Sequence, residues 1–182
     1  LIAALTDAQR LGFLGARPID EVIDHARGFV RALAADDTVT SVLDLGSGGG
    51  VPGLVIAHDL PATRVTLLDR RAKRTDVLER VVRRLSWDDR VSVVCQDVTR
   101  FGPDGTFDAV VARGFGPPEF TLTAAARLVR VGGLIVISEP PDHDRWDDAL
   151  LHRLEVRRCA PSVRADAGRG SLDGLVAVFR RH

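Results

Sequence analysis

Cysteine, lysine, tyrosine and methionine are the scarce residues of this 182-residue chain. It has two cysteines, Cys95 and Cys159, and neither Met nor Tyr; lysine occurs once, at Lys73, against 24 arginines. Two distant thiols make neither a disulfide scaffold nor a cysteine cluster for zinc, so they are expected to be small core residues of a protein from a reducing compartment. No apolar run approaches the ~18 residues a membrane span requires, and no signal peptide is recognisable. A cytoplasmic protein without membrane contact is therefore expected. With no methionine, Leu1 is not expected to be a natural start. Net charge is also lacking: 25 basic residues balance 25 acidic ones, so the whole molecule is no electrostatic magnet for nucleic acid. The preference for Arg over Lys fits the codon usage of a GC-rich genome. His25, His58, His143, His152 and His182 are scattered. None has metal-ligand spacing to a cysteine or acid, so no metal is expected. Nor does any nucleophile–base pairing stand out; Ser47 has no histidine nearby in sequence.

What is present is an ordinary globular composition, 45% hydrophobic and 27% charged, enough for one domain with its own core. Residues 1–40 read as a helical cap, with apolar residues at helical spacing in Leu5–Leu11 and Ile19–Leu33. From residue 41 short β-branched runs alternate with helical segments. Strands are expected at Ser41–Leu45, Arg64–Asp69, Val91–Cys95, Phe107–Ala112 and Leu134–Ser138. Helices are expected at Gly53–Leu60, Lys73–Leu85, Glu119–Val131 and about Asp142–His152. Such alternation predicts an α/β fold with a parallel sheet covered on both faces. Leu154–Cys159 and Leu175–Phe179, joined by the polar loop Pro161–Gly174, read as a terminal antiparallel hairpin. Residues 41–182 are thus expected to form one compact unit.

The informative segment is Val42-Leu43-Asp44-Leu45-Gly46-Ser47-Gly48-Gly49-Gly50-Val51-Pro52-Gly53, a strand, a glycine turn and a helix start. Glycines here admit positive φ and let a ligand lie against bare main chain. Gly48-x-Gly50-x-x-Gly53 formally matches a dinucleotide loop, but counted from the first glycine after the strand, Val51 stands where the third glycine belongs. Asp44 would repel a pyrophosphate and suits a ligand with an ammonium group. The spacing of Asp44, Gly46, Gly48 and Gly50 is the pattern of methyltransferases using S-adenosylmethionine. Asp69, with Arg70 beside it, ends the second strand, where a carboxylate can take ribose hydroxyls. Asp97 follows the third strand, where it can accept from an adenine amino group while the Val98 N–H meets a ring nitrogen. Ser47 completes the loop.

Residues 44–53, Leu67-Leu68-Asp69 with Lys73-Arg74, and Ala112-Arg113-Gly114-Phe115 together resemble the GidB family, bacterial methyltransferases that modify guanine N7 in small-subunit ribosomal RNA. The resemblance runs over about residues 41–139. It implies a Rossmann-like class I methyltransferase with a seven-stranded, mostly parallel sheet, S-adenosylmethionine as donor, and ribosomal RNA or the small ribosomal subunit as partner. Carried over, Asp44, Gly46, Gly48 and Asp69 would hold the donor, and Arg113 would lie by the transferring methyl or the target base. Lys73 and Arg74 would face the nucleic acid, and Phe115 or Phe120 could stack on a flat acceptor. Ile19–Phe29 lacks the family's Asn-Leu-Thr and His-x-x-Asp-Ser. Ser138-Glu139-Pro140-Pro141 stands where the family commonly has Lys-Gly. The alternatives are a methyltransferase for a small molecule or another RNA, and a non-catalytic module that binds the donor.

Overall fold

A computed structural model of the chain describes residues 1–140, 145–159 and 176–182. Strands β1 (Ser41–Leu45), β2 (Arg64–Asp69), β3 (Val91–Cys95) and β4 (Phe107–Ala112) have the expected bounds. They are followed by β5 (Val129–Ser138), β6 (Val156–Arg158) and β7 (Val176–Arg181) in one sheet of order β3-β2-β1-β4-β5-β7-β6. β1 to β5 are parallel, and β7 is antiparallel to both β5 and β6. The fold is thus the expected seven-stranded α/β sheet with an antiparallel terminal pair.

Side-chain alternation divides the core into two layers. Val42, Val65, Leu67, Val111 and Val136 point to one face, where they meet helices α1 (Ile2–Arg10), α2 (Ile19–Ala34), α3 (Gly53–Asp59) and α4 (Ala72–Arg84). Leu43, Leu45, Leu68, Val110 and Ile135 point to the other, against α5 (Pro118–Leu128) and α6 (Asp148–Arg153). Strand order reverses between β1 and β4, so the loops leaving those two strands diverge and open a crevice at their C-terminal ends.

Several expectations are corrected. The helix expected through Val131 stops at Leu128, and β5 begins at Val129, five residues before the expected start. Val129, Arg130 and Val131 continue the helical pattern in sequence, but Val129 pairs with Phe107, and the register then shifts before Ala109 meets Leu134. Gly133 absorbs that shift, since a Cβ there would stand 2.6 Å from the Asp108 carbonyl oxygen. Helix α6 begins later than expected because Asp147 caps it, accepting from the Ala149 N–H at 3.0 Å. β6 is shorter than Leu154–Cys159, and β7 runs on to Arg181. The Pro161–Gly174 loop, Leu175 and residues 141–144 lie outside the described residues. Neither cysteine is a fully buried core residue: Cys95 is exposed, at the end of edge strand β3, and Cys159 is half-buried.

At the opposite end of the sheet one carboxylate ties three strands together. Asp108 Oδ2 accepts from the N–H and hydroxyl groups of Thr40 and Ser41, at 2.8–3.0 Å, and Oδ1 from Arg130 Nε at 2.7 Å. Burial alone would raise its pKa; the bonds from Arg130, Thr40 and Ser41 outweigh it and hold the group well below the usual carboxylate range. A carboxylate with a lowered folded-state pKa contributes stability above its ordinary pKa and loses it as pH falls toward the folded value. Asp108→Ala should cost about 2–4 kcal/mol at neutral pH. Urea unfolding should find this difference shrinking as pH drops below about 4; a constant difference would contradict the assignment.

Candidate functional site

The crevice holds two cavities. The first, about 360 Å³, lies over the ends of β2 and β3 and is lined by Gly46, Asp69, Arg70, Arg71, Asp97 and Val98, among others. The second, about 370 Å³, lies over the ends of β4 and β5 and is lined by Arg17, Glu21 and His25 of the N-terminal region and by Arg113, Thr121 and Glu139. Gly114, Phe115 and Gly116 line both, so the Phe115 segment is their common wall.

The loop after β1 is built tightly. Gly46 takes φ +68°, and a Cβ there would fall 2.5 Å from Phe115 Cδ2; the ring closes directly over bare main chain. Ser47 is buried, its N–H donating to the Leu68 carbonyl and its Oγ to the Asp44 carbonyl, both at 3.0 Å. The Gly48 N–H donates to Asp69 Oδ2 at 3.0 Å. Ser47, Gly48 and Gly50 line neither cavity. Gly50 turns toward the core, where a Cβ would meet Leu54 Cδ1 at 2.3 Å. Leu14 and the Phe13 carbonyl, between α1 and α2, seat on Gly49.

Asp44 has no exposed surface and also lines neither cavity. Its Oδ2 accepts from the Gly53 N–H at 3.0 Å, while Oδ1 has no partner. Burial pushes its carboxyl up to about 7, against the pull of the nearby Ser47 hydroxyl, the Gly53 N–H and the Arg113 charge. Arg113, at the end of β4, is half-buried with Nη1 unpartnered, and burial lowers its pKa against the opposing charge of Asp44. Two opposite charges thus sit at the tips of adjacent strands, each incompletely bonded.

Asp69 is buried on the first cavity's wall. Its Oδ1 accepts from the Arg71 N–H at 2.9 Å, and its Oδ2 lies 3.4 Å from Arg74 Nη1. A carboxylate offers about four acceptor positions, so these bonds leave capacity for a ligand. Asp97 Oδ1 caps the short 3₁₀ turn Val98–Arg100, accepting from the Thr99 N–H and hydroxyl, and these bonds lower its pKa. Its Oδ2 stands 4.0 Å from exposed Arg70. Val98 is buried beneath it. Lys73 is exposed and lines neither cavity, whereas Arg74 folds inward over the Phe13 ring, 5.8 Å from its centroid. Phe115 stacks on Phe120 at 5.7 Å, and Phe120 remains 44% exposed.

The sequence and the fold are similar to those of known proteins. A profile described as GidB, rRNA small subunit methyltransferase G, matches residues 7–140. The chain belongs to the GidB family. The match extends well before residue 41, so α2 and the end of α1 fall within the family region although the local motifs expected there are missing. The ribosomal RNA small subunit methyltransferase G of Synechococcus sp. (strain WH7803) is 36% identical over 159 residues, covering 80% of this chain and 63% of that protein. The one from Burkholderia thailandensis is 32% identical over 156 residues, covering 81% and 67%. The one from Thermotoga neapolitana is 35% identical over 128 residues, covering 65% and 56%. The chain therefore spans between about half and two thirds of the length of these curated relatives. Among solved structures, the 1,6-didemethyltoxoflavin-N1-methyltransferase of Burkholderia thailandensis, with bound S-adenosylhomocysteine, superposes with TM-score 0.65 at 21% identity, covering 98% of this chain and 88% of that one. The [4+2]-cyclase SpnF superposes at 0.60 and 21%, covering 75% and 58%. Both likenesses concern the fold.

The residues that sequence reasoning did not single out are mostly from elsewhere in the chain: Arg17, Glu21 and His25 on the second cavity, Phe13 and Leu14 on the loop. No local signal marks them. Gly53 is different, because a Cβ there would stand 2.5 Å from Asp44 Oδ2, and the loop motif already contains both residues. Among the described residues no group of three or more His, Cys, Asp or Glu is placed to hold a metal, and no helix is long and apolar enough to cross a membrane.

Asp44 gives a pH signature. Its folded-state pKa lies above the ordinary 3.8, so between about pH 4 and 7 the native state holds a proton that the unfolded chain releases, and stability falls as pH rises through that window. Asp44→Asn should remove this slope. Denaturant unfolding should find the variant near wild type at about pH 4 and more stable by on the order of 2–4 kcal/mol at about pH 8; parallel pH profiles would refute the assignment.

Proposed function

We propose that this chain transfers a methyl group from S-adenosylmethionine to guanine N7 in small-subunit ribosomal RNA. The observation that carries this reading is the pair of cavities meeting at the Phe115 wall, one bordered by Asp69 and Asp97 beside a glycine loop and the other open at the ends of β4 and β5. In this reading the carboxylate of Asp69 takes the donor's ribose hydroxyls, and Asp97 with the Val98 N–H takes the adenine. Gly46, with Ser47, Gly48 and Gly50 shaping the turn, offers the main chain against which the donor lies. Arg70 borders the same cavity. The orphan Oδ1 of Asp44 is what an ammonium group would relieve once the loop parts enough to admit it. S-adenosylmethionine, when bound, supplies a methyl carbon activated by its sulfonium.

The chain's own contribution is alignment. Guanine N7 carries a free lone pair and no proton, so no general base is needed, and positioning alone can supply ~7–11 kcal/mol of the barrier. Phe115 lines both cavities, beside the place where donor and acceptor must meet, and Arg113 borders the acceptor side. Exposed Arg70, Arg71 and Lys73 form the rim for RNA phosphates, whereas Arg74 serves the fold through Asp69 and Phe13. Residues 1–40 act as a cap whose Phe13–Leu14 segment closes the glycine loop.

Calorimetry should find S-adenosylmethionine bound tightly and NAD weakly or not at all. Asp69→Ala should weaken donor binding about tenfold or more, as expected for hydrogen bonds to a charged acceptor. Nucleoside mass mapping of small-subunit RNA from cells with and without the gene should show one 7-methylguanosine lost. Tighter NAD binding would overturn the donor, and an unchanged 7-methylguanosine level the acceptor.

A further inference from the structure

Glu139 follows the last residue of β5 and stands on the wall of the second cavity. Its side chain is only 8% exposed. Two donors fix it, Arg145 Nε at 3.1 Å and Trp146 Nε1 at 2.8 Å, and both bond to Oε1. The donors are themselves held: Arg145 Nη2 donates to the Ser138 carbonyl, and the Trp146 ring stands edge-on to Phe179 with centroids 4.9 Å apart. Oε2 accepts no hydrogen bond among the described residues. Thr121, on the same wall and 3% exposed, leaves Oγ1 without a partner, and Arg113 does the same with Nη1. Unmatched polar groups gathered round one cavity call for a polar ligand. An oriented carboxylate with a free oxygen selects a ligand edge made of N–H donors.

We propose that Glu139 reads the acceptor base, its carboxylate accepting from the N1–H and N2–H groups of a guanine; the inference rests on the methyl-transfer reading of the site. Guanine alone among the four RNA bases presents two adjacent donors on its Watson–Crick edge. Adenine sets an acceptor nitrogen beside its single amino group, cytosine does the same, and uracil flanks its one N–H with two carbonyls. Unpaired RNA bases are commonly read along this edge. Held there, guanine keeps N7, an acceptor on its other edge, uncovered.

Glu139→Gln is the informative variant. The amide keeps an oxygen for Trp146 and Arg145 and replaces the free oxygen by an N–H donor, which opposes guanine's own donors while the local anchoring stays. Two measurements decide the matter, both on protein with confirmed S-adenosylhomocysteine binding. In the first, guanosine 5′-monophosphate and adenosine 5′-monophosphate are titrated into the S-adenosylhomocysteine-loaded protein. Wild type should prefer the guanine nucleotide about tenfold or more, and the Glu139→Gln substitution should abolish the preference with the unfolding midpoint and S-adenosylhomocysteine affinity unchanged. In the second, kcat/KM for methyl transfer to small-subunit particles lacking the modification should fall about ten- to hundredfold in the variant. A wild type without base preference, or a variant that retains it, overturns the assignment of Glu139. A variant as active as wild type on the particles overturns it too and leaves the methyltransferase reading intact. A wild type that ignores the particles yet shows the Glu139-dependent guanine preference sustains the assignment and removes the ribosomal acceptor instead.

Discussion

A carboxylate with no exposed surface at the tip of β1 constrains everything around it. Asp44 occupies the space where α3 begins, so the residue at 53 must be glycine: a Cβ would stand 2.5 Å from its Oδ2 and 2.3 Å from Leu67 Cδ2. The Gly53 N–H bond fixes the helix start, and Ser47 hangs the turn from the Asp44 carbonyl and the Leu68 carbonyl. Because β1 and β2 are hydrogen-bonded neighbours, the same turn sets Asp69 against the Gly48 N–H. Burying a carboxylate with one oxygen unbonded is unfavourable, and the raised pKa of Asp44 is the expression of that cost. Arg113, on the next strand over, offsets part of it by charge without a direct bond.

The two halves of the crevice are consequently unlike. On the β1–β2 side the turn is tied by the Ser47 N–H and hydroxyl and by the Gly48, Gly50 and Gly53 N–H groups, and Leu14 packs on Gly49. On the β4–β5 side polar atoms are left over, at Arg113 and Thr121. A half with spare donors and acceptors suits a partner that brings its own hydrogen-bonding edge.

Strands β1 to β4 were legible to the residue because each reads as a short β-branched run between helical segments, the interior β1, β2 and β4 and the partly exposed edge strand β3 alike. The α5–β5 junction was not: Val129–Val131 keep helical spacing, and only pairing with Phe107 and the close approach at Gly133 turn them into strand. The lining of the first cavity was legible because its residues are local to three strand ends. Even there the sequence could not say that Gly50 faces Leu54 or that Asp44 lies beneath the cavity floor. The second cavity was not legible, because it joins Arg17, Glu21 and His25 to residues about a hundred positions later. Glu139 was conspicuous as an acid among prolines, but its bonds to Arg145 and Trp146 depend on tertiary folding.

A chain without net charge makes a poor partner for RNA only if its charges are spread evenly. Between Arg64 and Arg90 nine basic residues stand against five acidic ones, but the fold draws some of that excess inward. Arg74 lies on Asp69, and Arg90 donates to the Ala57 carbonyl and covers the Trp87 ring. What remains at the first cavity is the exposed pair Arg70 and Arg71 on its lining, with exposed Lys73 two residues further on; of the acids there, Asp69 is engaged by Arg74 and Asp97 stands 4.0 Å from Arg70. Within about 8–10 Å, the screening distance at physiological salt, a phosphate meets this local set of charges and not the balanced total. Attraction of this kind acts once a phosphate is already at the rim. It would orient a strand across the mouth of the crevice without drawing nucleic acid from afar, leaving the choice of base to the groups on the β4–β5 side.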